Sequence, residues 1–207
     1  NSGTTLKVNT LYDLTVTDVI TNNGTLTLEN NANLIQVNDV VNTGSGPTVV
    51  KRNSSAIMRF DYTLWSSPLS GQGLYAFSPF TFANRFYEYN TSSNTYSSVT
   101  GFNITGLNGA GVNGIDDSNV QFSTGLGYLI RMPYNHPTAP AIWTGTFTGT
   151  PNNGDKTVVL NNIGAGQRFN LVGNPYPSPL DAIALVTDTN NAANITGTLY
   201  FLRKTNS

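Results

Sequence analysis

The sequence predicts an all-β fold, a β-sandwich preceded by a short solenoid-like or meander N-terminal segment, with one short helix near residues 179–187. Three observations carry this expectation. Asn and Thr together make up roughly a quarter of the 207 residues while only 10% are charged, so polarity comes from amides and hydroxyls. Thr suits strands and Asn suits tight turns, which argues against long helices. Runs of strand length, rich in aromatic and β-branched residues, recur along the chain, each followed by Gly, Asn, Pro or Ser.

In the first fifty residues, Asp13-Leu14-Thr15-Val16 and Thr25-Leu26-Thr27-Leu28 repeat an apolar/Thr alternation twelve positions apart, and a further strand at 32–37 follows an Asn-rich turn. Asn22-Asn23-Gly24, Asn30-Asn31 and the Asn42 to Gly44 stretch place at the corners residues that tolerate left-handed backbone. Stacked rungs of a β-solenoid produce this pattern, and so does a β-meander. Gly44-Ser45-Gly46-Pro47 then marks a boundary. It divides strand repeats at 1–46 from a sandwich-like module at 47–207.

Beyond the boundary, strands are expected at 48–52, 56–65, 80–82, 85–89, 95–99, 127–132, 141–147, 156–160 and 198–202. The runs at 85–89 and 95–99 pair as a hairpin around a polar loop, and those at 144–150 and 156–160 as another. Alternation along 85–89 puts Phe86 and Glu88 on one side and Tyr87 and Tyr89 on the other, with the tyrosine pair expected inward. In the stretch 169–181, Leu171 and Val172 end a strand and Gly173-Asn174-Pro175 turns the chain, while Pro177 and Pro179 restrict the backbone around Ser178. Ser178 reads as the N-cap of the single helix, with Pro179 at its first position and Asp181 near its positive end. Tyr176 reads as a packing residue at this strand-to-helix corner.

Ten basic and eleven acidic residues give a net charge of -1 and no electrostatic footprint for nucleic acid or an anionic membrane. No run has the apolar length of a membrane span, and residues 1–5 lack the charged and apolar regions of a signal peptide, as in a mature or excised segment. Zero cysteines excludes disulfides, thiol catalysis and cysteine-ligated metal. The composition fits an extracellular or outer-surface bacterial protein.

Five motifs, YTLWSSP at 62–68, RFYEY at 85–89, GLGYLIR at 125–131, FNLVGNPYPS at 169–178 and GTLYF at 197–201, together resemble a module of large secreted surface proteins of gliding bacteria exported by the type IX secretion system. The resemblance spans Ile57 to Arg203, and the Asn-rich strands before it are similar to the β-solenoid segments that precede such modules. It implies a secreted or cell-surface location and a role in adhesion, polymer binding or spacing. The end at residues 204–207, without a sorting domain, implies a fragment. No functional residues carry over from the family.

The inventory leaves little for catalysis. The single histidine, His136, lies between prolines in a turn-like setting, where a surface position is expected, and no Gly-x-Ser-x-Gly elbow occurs. Glu29 and Glu88 are the only glutamates, both expected as solvent-facing strand charges, and glycoside hydrolysis needs two positioned carboxylates. Asn113, Asp116, Asp117 and Asn119 gather oxygen ligands in one Gly-containing loop and are the candidate set for a structural calcium, with an Asx-stabilised turn as the alternative. Asp188, Asn190 and Asn191 read as a loop after the helix. Trp143, with Tyr134 near it in sequence, is the candidate exposed platform for a surface glycan or polysaccharide. The expected function is non-enzymatic, an adhesive or spacing module; the alternative is a carbohydrate-binding module attached to a polysaccharide-degrading enzyme.

Overall fold

The computed structural model describes residues 3–164, 166, 168–195 and 198–204. The first strands are β1 (Thr5–Val8), β2 (Asp13–Val16), β3 (Thr25–Leu28), β4 (Asn33–Gln36) and β5 (Thr48–Asn53). They pair in parallel: β1 with β3 and β3 with β5 on one face, β2 with β4 on another. A meander would pair neighbours antiparallel, so the segment is a β-solenoid. Stacked corner residues lie 20 residues apart at Asp13 and Asn33 and 22 apart at Thr21 and Thr43. The twelve-residue spacing seen in the sequence is therefore the step from one face of a rung to the other face of the next. β1, not expected from sequence, lies one rung before β3 and shares its alternation.

Each rung stacks its inward side chains into columns. Val8, Leu28 and Val50 form one, with Leu28 and Val50 fully buried, and Leu26 lies beside Thr48 in the next. Burial of each such Leu or Val side chain contributes about 1.5–3 kcal/mol. The Asn-rich corners hydrogen-bond between rungs: Asn22 Nδ2 donates to the Gly46 and Pro47 carbonyls at 3.0 Å, Asn33 Nδ2 to Asp13 at 2.7 Å, and Asn38 Nδ2 to Asp18 at 2.6 Å. Gly44 sits at φ +100° where a Cβ would come 2.1 Å from the Asn22 carbonyl oxygen. Only glycine satisfies both conditions.

The remaining strands are β6 (Tyr62–Trp65), β7 (Leu69–Ser70), β8 (Phe86–Asn90), β9 (Thr95–Ser98), β10 (Ile104–Thr105), β11 (Ile115–Asp116), β12 (Tyr128–Arg131) and β13 (Thr144–Pro151), with a helical turn α1 (Leu74–Phe77) after β7. β5 pairs antiparallel with β13 and β13 with β7, so one five-stranded sheet, β1-β3-β5-β13-β7, joins the solenoid strands to those of the sandwich. A four-stranded antiparallel sheet, β6-β12-β8-β9, packs across it. Between them Phe77 stacks on Phe147 at 4.4 Å and meets Phe122 and Trp143 edge-on at 5.3 and 5.2 Å. This core is continuous with the solenoid interior.

The expected hairpin of β8 and β9 forms, but β13 does not fold back on 156–160, which carries no strand. Its partners are chosen by its inward face, where Gly145 and Gly149 flank Phe147. A Cβ at Gly145 would lie 2.7 Å from the Phe77 ring, and one at Gly149 2.1 Å from the Ser70 carbonyl oxygen. Those glycines let α1 and β7 close on the strand. Residues 80–82 are also not a strand, the run at 56–65 yields only β6 and an isolated Ile57–Ala141 bridge, and 198–202 carries no strand.

The helix near the C-terminus is α2 (Ala182–Thr187), followed by a one-turn α3 (Thr189–Ala192). Its N-cap is Asp181, whose carboxylate accepts from the Ile183 and Ala184 amides at 2.9 and 3.0 Å; Ser178 instead lends its carbonyl to Asn174 Nδ2. Asp188 caps α3 in the same way, where a loop was expected. The turn at 173–178 does more than redirect the chain into this helix. The Pro177 carbonyl accepts from the Leu34 amide at 3.0 Å and from Arg52 Nη2 at 3.2 Å, the Pro175 carbonyl from Asn152 Nδ2 at 2.9 Å, and the Tyr176 hydroxyl donates to the Gly154 carbonyl at 2.7 Å. It therefore clamps β4 and β5 of the solenoid to the end of β13. No helix among the described residues is long and apolar enough to cross a membrane.

Candidate functional site

The outer side of the four-stranded sheet carries the most distinctive side-chain arrangement. On β8, Phe86 is fully buried against Tyr75 and Phe102, so Tyr87 and Tyr89 point away from the core, opposite to the sequence expectation. Alternation shows which residues share a face, while the sheet packed against β8 decides which face is inner. In register with Tyr87 on that outer side lie Leu129 of β12 and Leu64 of β6, and Tyr62 lies opposite Arg131. On β9, Tyr96 lies opposite Tyr89.

These residues form a band of rings and guanidinium groups. Tyr62 meets Tyr87 edge-on at 5.9 Å and Tyr89 meets Tyr96 at 5.4 Å. Arg85 Nη1 donates to the Tyr87 hydroxyl at 3.2 Å. Just before β6, the guanidinium groups of Arg59 and Arg131 each lie over the Phe60 ring, 4.8 Å from its centroid. Arg59 also lies 5.7 Å from the Tyr134 ring, which meets Phe82 edge-on at 5.8 Å. Phe60 is 60% exposed, Tyr134 48% and Tyr96 39%, so the band faces solvent.

The local electrostatics follow from these contacts. The hydrogen bond from Arg85 holds the Tyr87 phenol below its usual pKa and raises that of Arg85 itself. Burial, then the neighbouring Tyr87, raises Tyr62; burial, then Tyr89, raises Tyr96. Flat apolar rings beside fixed donors suit a ligand with an apolar face and a polar rim.

A family described as a domain of unknown function, DUF8693, matches residues 1–207. The chain belongs to the DUF8693 family. No curated protein and no solved structure matches it.

Within this DUF8693 domain, the two candidate platform residues part company. Tyr134 belongs to the outer band. Trp143 is half-buried, meeting Trp65 edge-on at 5.5 Å and Phe77 at 5.2 Å, and so packs on the core rather than offering an exposed platform. In the candidate calcium loop the carboxylates serve the turn: Asp116 accepts from the Asn103 and Ser118 amides at 2.9 and 3.1 Å, and Asp117 accepts from Asn103 Nδ2. Asn113 and Asn119 take left-handed backbone, and Asn119 Oδ1 accepts from Gln121 Nε2. No group of three or more His, Asp or Glu that could hold a metal ion occurs among the described residues.

His136 is buried, not a surface turn residue. Its Nε2 donates to the Ile57 carbonyl at 2.8 Å, pinning the turn to the chain before β6. Glu29 lies in the solenoid, 3.0 Å from both Lys7 and Lys51, and Glu88 lies on β8 of the sandwich. Two clefts flank the turn at 173–178. One, of about 300 Å³, is lined by Leu64, Ser66, Gly127 and Leu171; the other, of about 500 Å³, by Asp39, Asn153, Asp155 and Tyr176. In the latter, burial and then the Asp155 and Asp39 carboxylates raise the Tyr176 phenol.

Sequence reasoning missed Arg59, Phe60, Tyr62 and Arg131 as members of one surface. The alternation of 59–62 is visible, but β6 meets β12 only through the tertiary register.

Proposed function

We propose that the chain is a non-enzymatic extracellular module of a bacterial surface protein that adheres by binding glycan on the outer face of its four-stranded sheet. The observation that carries this reading is the solvent-facing band from Tyr134 and Phe60 through Tyr62 and Tyr87 to Tyr89 and Tyr96. Rings on a rigid sheet meet the C–H face of a sugar without ordering new backbone, and each well-stacked aromatic contributes about 1 kcal/mol beyond area burial. The resemblance to modules of gliding-bacterial surface proteins supports the location and the adhesive role.

Affinity electrophoresis in gels cast with a panel of neutral and acidic polysaccharides tests it. Retardation by at least one glycan is expected, falling about tenfold in affinity for Phe60→Ala and Tyr96→Ala. Trp143→Ala is expected to lower stability, since it packs on the core. Free migration of the wild type through every glycan overturns the reading. A second reading, a structural spacer, is favoured by the unbroken sheet from β1 to β7, which couples solenoid and sandwich into one mount.

A further inference from the structure

We propose that the outer face selects uronate-bearing, anionic polysaccharides over neutral ones. The inference rests on the glycan reading above and adds the charge of the ligand.

Three of the six arginines, Arg59, Arg85 and Arg131, stand on or beside this face, in a chain with only ten basic residues. The ion pairs among the described residues are Lys7–Glu29, Lys51–Glu29 and Lys204–Asp61, and none of the three arginines takes part in them. The nearby Asp61 accepts from the Met58 amide and pairs with Lys204. Glu88 extends from β8 on the side opposite Tyr87.

Arg85 donates to the Tyr87 hydroxyl, while no hydrogen bond among the described residues uses the guanidinium donors of Arg59 or Arg131. Arg59 Nε is buried without a hydrogen-bond partner, and the described contacts of the Arg131 guanidinium are with the Phe60 ring. A guanidinium carries five N–H donors, and a buried one left unmatched is costly. Arg52 shows what a purely structural arginine looks like in the same chain: its guanidinium donates to the carbonyls of Glu29, Lys51, Ala32 and Pro177. Arg59 and Arg131 bring two positive charges to one exposed ring, each 4.8 Å from its centroid, and an anion lying against that ring would meet both.

A polyuronate carries both features that this face is built to meet. Each sugar offers an apolar C–H face for an aromatic and one carboxylate that a guanidinium fork holds bidentately. Nucleic acid binding draws on many phosphate contacts and a broad positive field, which a chain of net charge -1 does not supply.

The test is affinity electrophoresis of the full chain in polygalacturonate, its methyl ester, alginate and laminarin, with an oligo-dT competitor. Polygalacturonate or alginate is expected to bind about tenfold or more tightly than the neutral polymers, with the preference shrinking as salt is raised. Arg59→Gln and Arg131→Gln should abolish that preference while leaving weak binding to neutral glycan. Arg131→Lys, which keeps the charge without the fork, should fall between. Equal retardation by polygalacturonate and its methyl ester, with neither polyuronate preferred to laminarin, overturns the charge selection while leaving the glycan reading standing. Absence of retardation by any glycan overturns both. Tighter binding of oligo-dT than of either polyuronate overturns the uronate assignment.

Discussion

The Arg52 guanidinium donates to the Pro177 carbonyl at 3.2 Å, across 125 residues of chain. It joins the last solenoid strand to the most distinctive turn of the sequence. The same side chain donates to Ala32 at 3.0 Å and to Lys51 at 2.9 Å, and burial pushes its pKa below the ordinary arginine value. The seam between solenoid and sandwich is thus held by a charged donor among carbonyl acceptors.

Arg52→Met should destabilise the chain by about 2–3 kcal/mol, because the part-buried carbonyls of Ala32, Lys51 and Pro177 lose a shared charged donor together. Calorimetry would show this as a Tm fall of roughly 5–10 °C for a domain of this size. Arg52→Lys should recover little, since one ammonium cannot span the acceptors that the planar fork reaches. A Tm unchanged in both variants would mean that the turn docks without Arg52.

At the solenoid corner, Gly44→Ala combines a left-handed backbone with a clash against Asn22, whereas Gly71→Ala meets only the first obstacle, having φ +85° and open space around it. The expected costs are about 1 kcal/mol for Gly71→Ala and at least about twice that for Gly44→Ala. Urea denaturation midpoints would rank them, and equal midpoints would contradict the stacked corner.

Glu29 links three adjacent solenoid strands through Lys7 and Lys51, each at 3.0 Å. Its pKa is lowered, first by the hydrogen bond from Lys51 and then by that from Lys7. A carboxylate whose folded pKa lies below its unfolded value of about 4.3 stabilises the fold above that value and loses the contribution as pH falls through the folded pKa. The Tm difference between wild type and Glu29→Gln should therefore be present at neutral pH and close in acid below about pH 4. A difference that persists unchanged in acid would show that charge is not its source.

Tyr75 is buried in the core and its hydroxyl has no hydrogen-bond partner. Tyr75→Phe removes that unmatched group and keeps the ring against Phe86 and Phe102, so stability should rise by about 1 kcal/mol. A marked fall in Tm would reveal an acceptor reaching the hydroxyl in solution.

The outer band was only partly legible in the sequence. The alternation of Phe86, Tyr87, Glu88 and Tyr89 could be read directly, yet the inner face could not, because that depends on Tyr75 and Phe102 arriving beside Phe86. Trp143, expected as an exposed platform with Tyr134 near it in sequence, packs on the core, while Tyr134 is exposed and meets Phe82 and Arg59. The Asx loop, the Asp181 cap and the buried His136 each turned on which neighbour filled a hydrogen bond.

The sequence by itself determined the all-β class, the Asn and Gly corners, the β8–β9 hairpin and the short helix near the C-terminus, because these rest on backbone preferences acting over a few residues. Tertiary structure decided the parallel stacking of the first rungs, the choice of β5 and β7 as partners of β13, and the side of the sheet on which the tyrosines stand. Period-2 alternation is symmetric between faces and silent on partners, and only packing across long sequence separations breaks that symmetry.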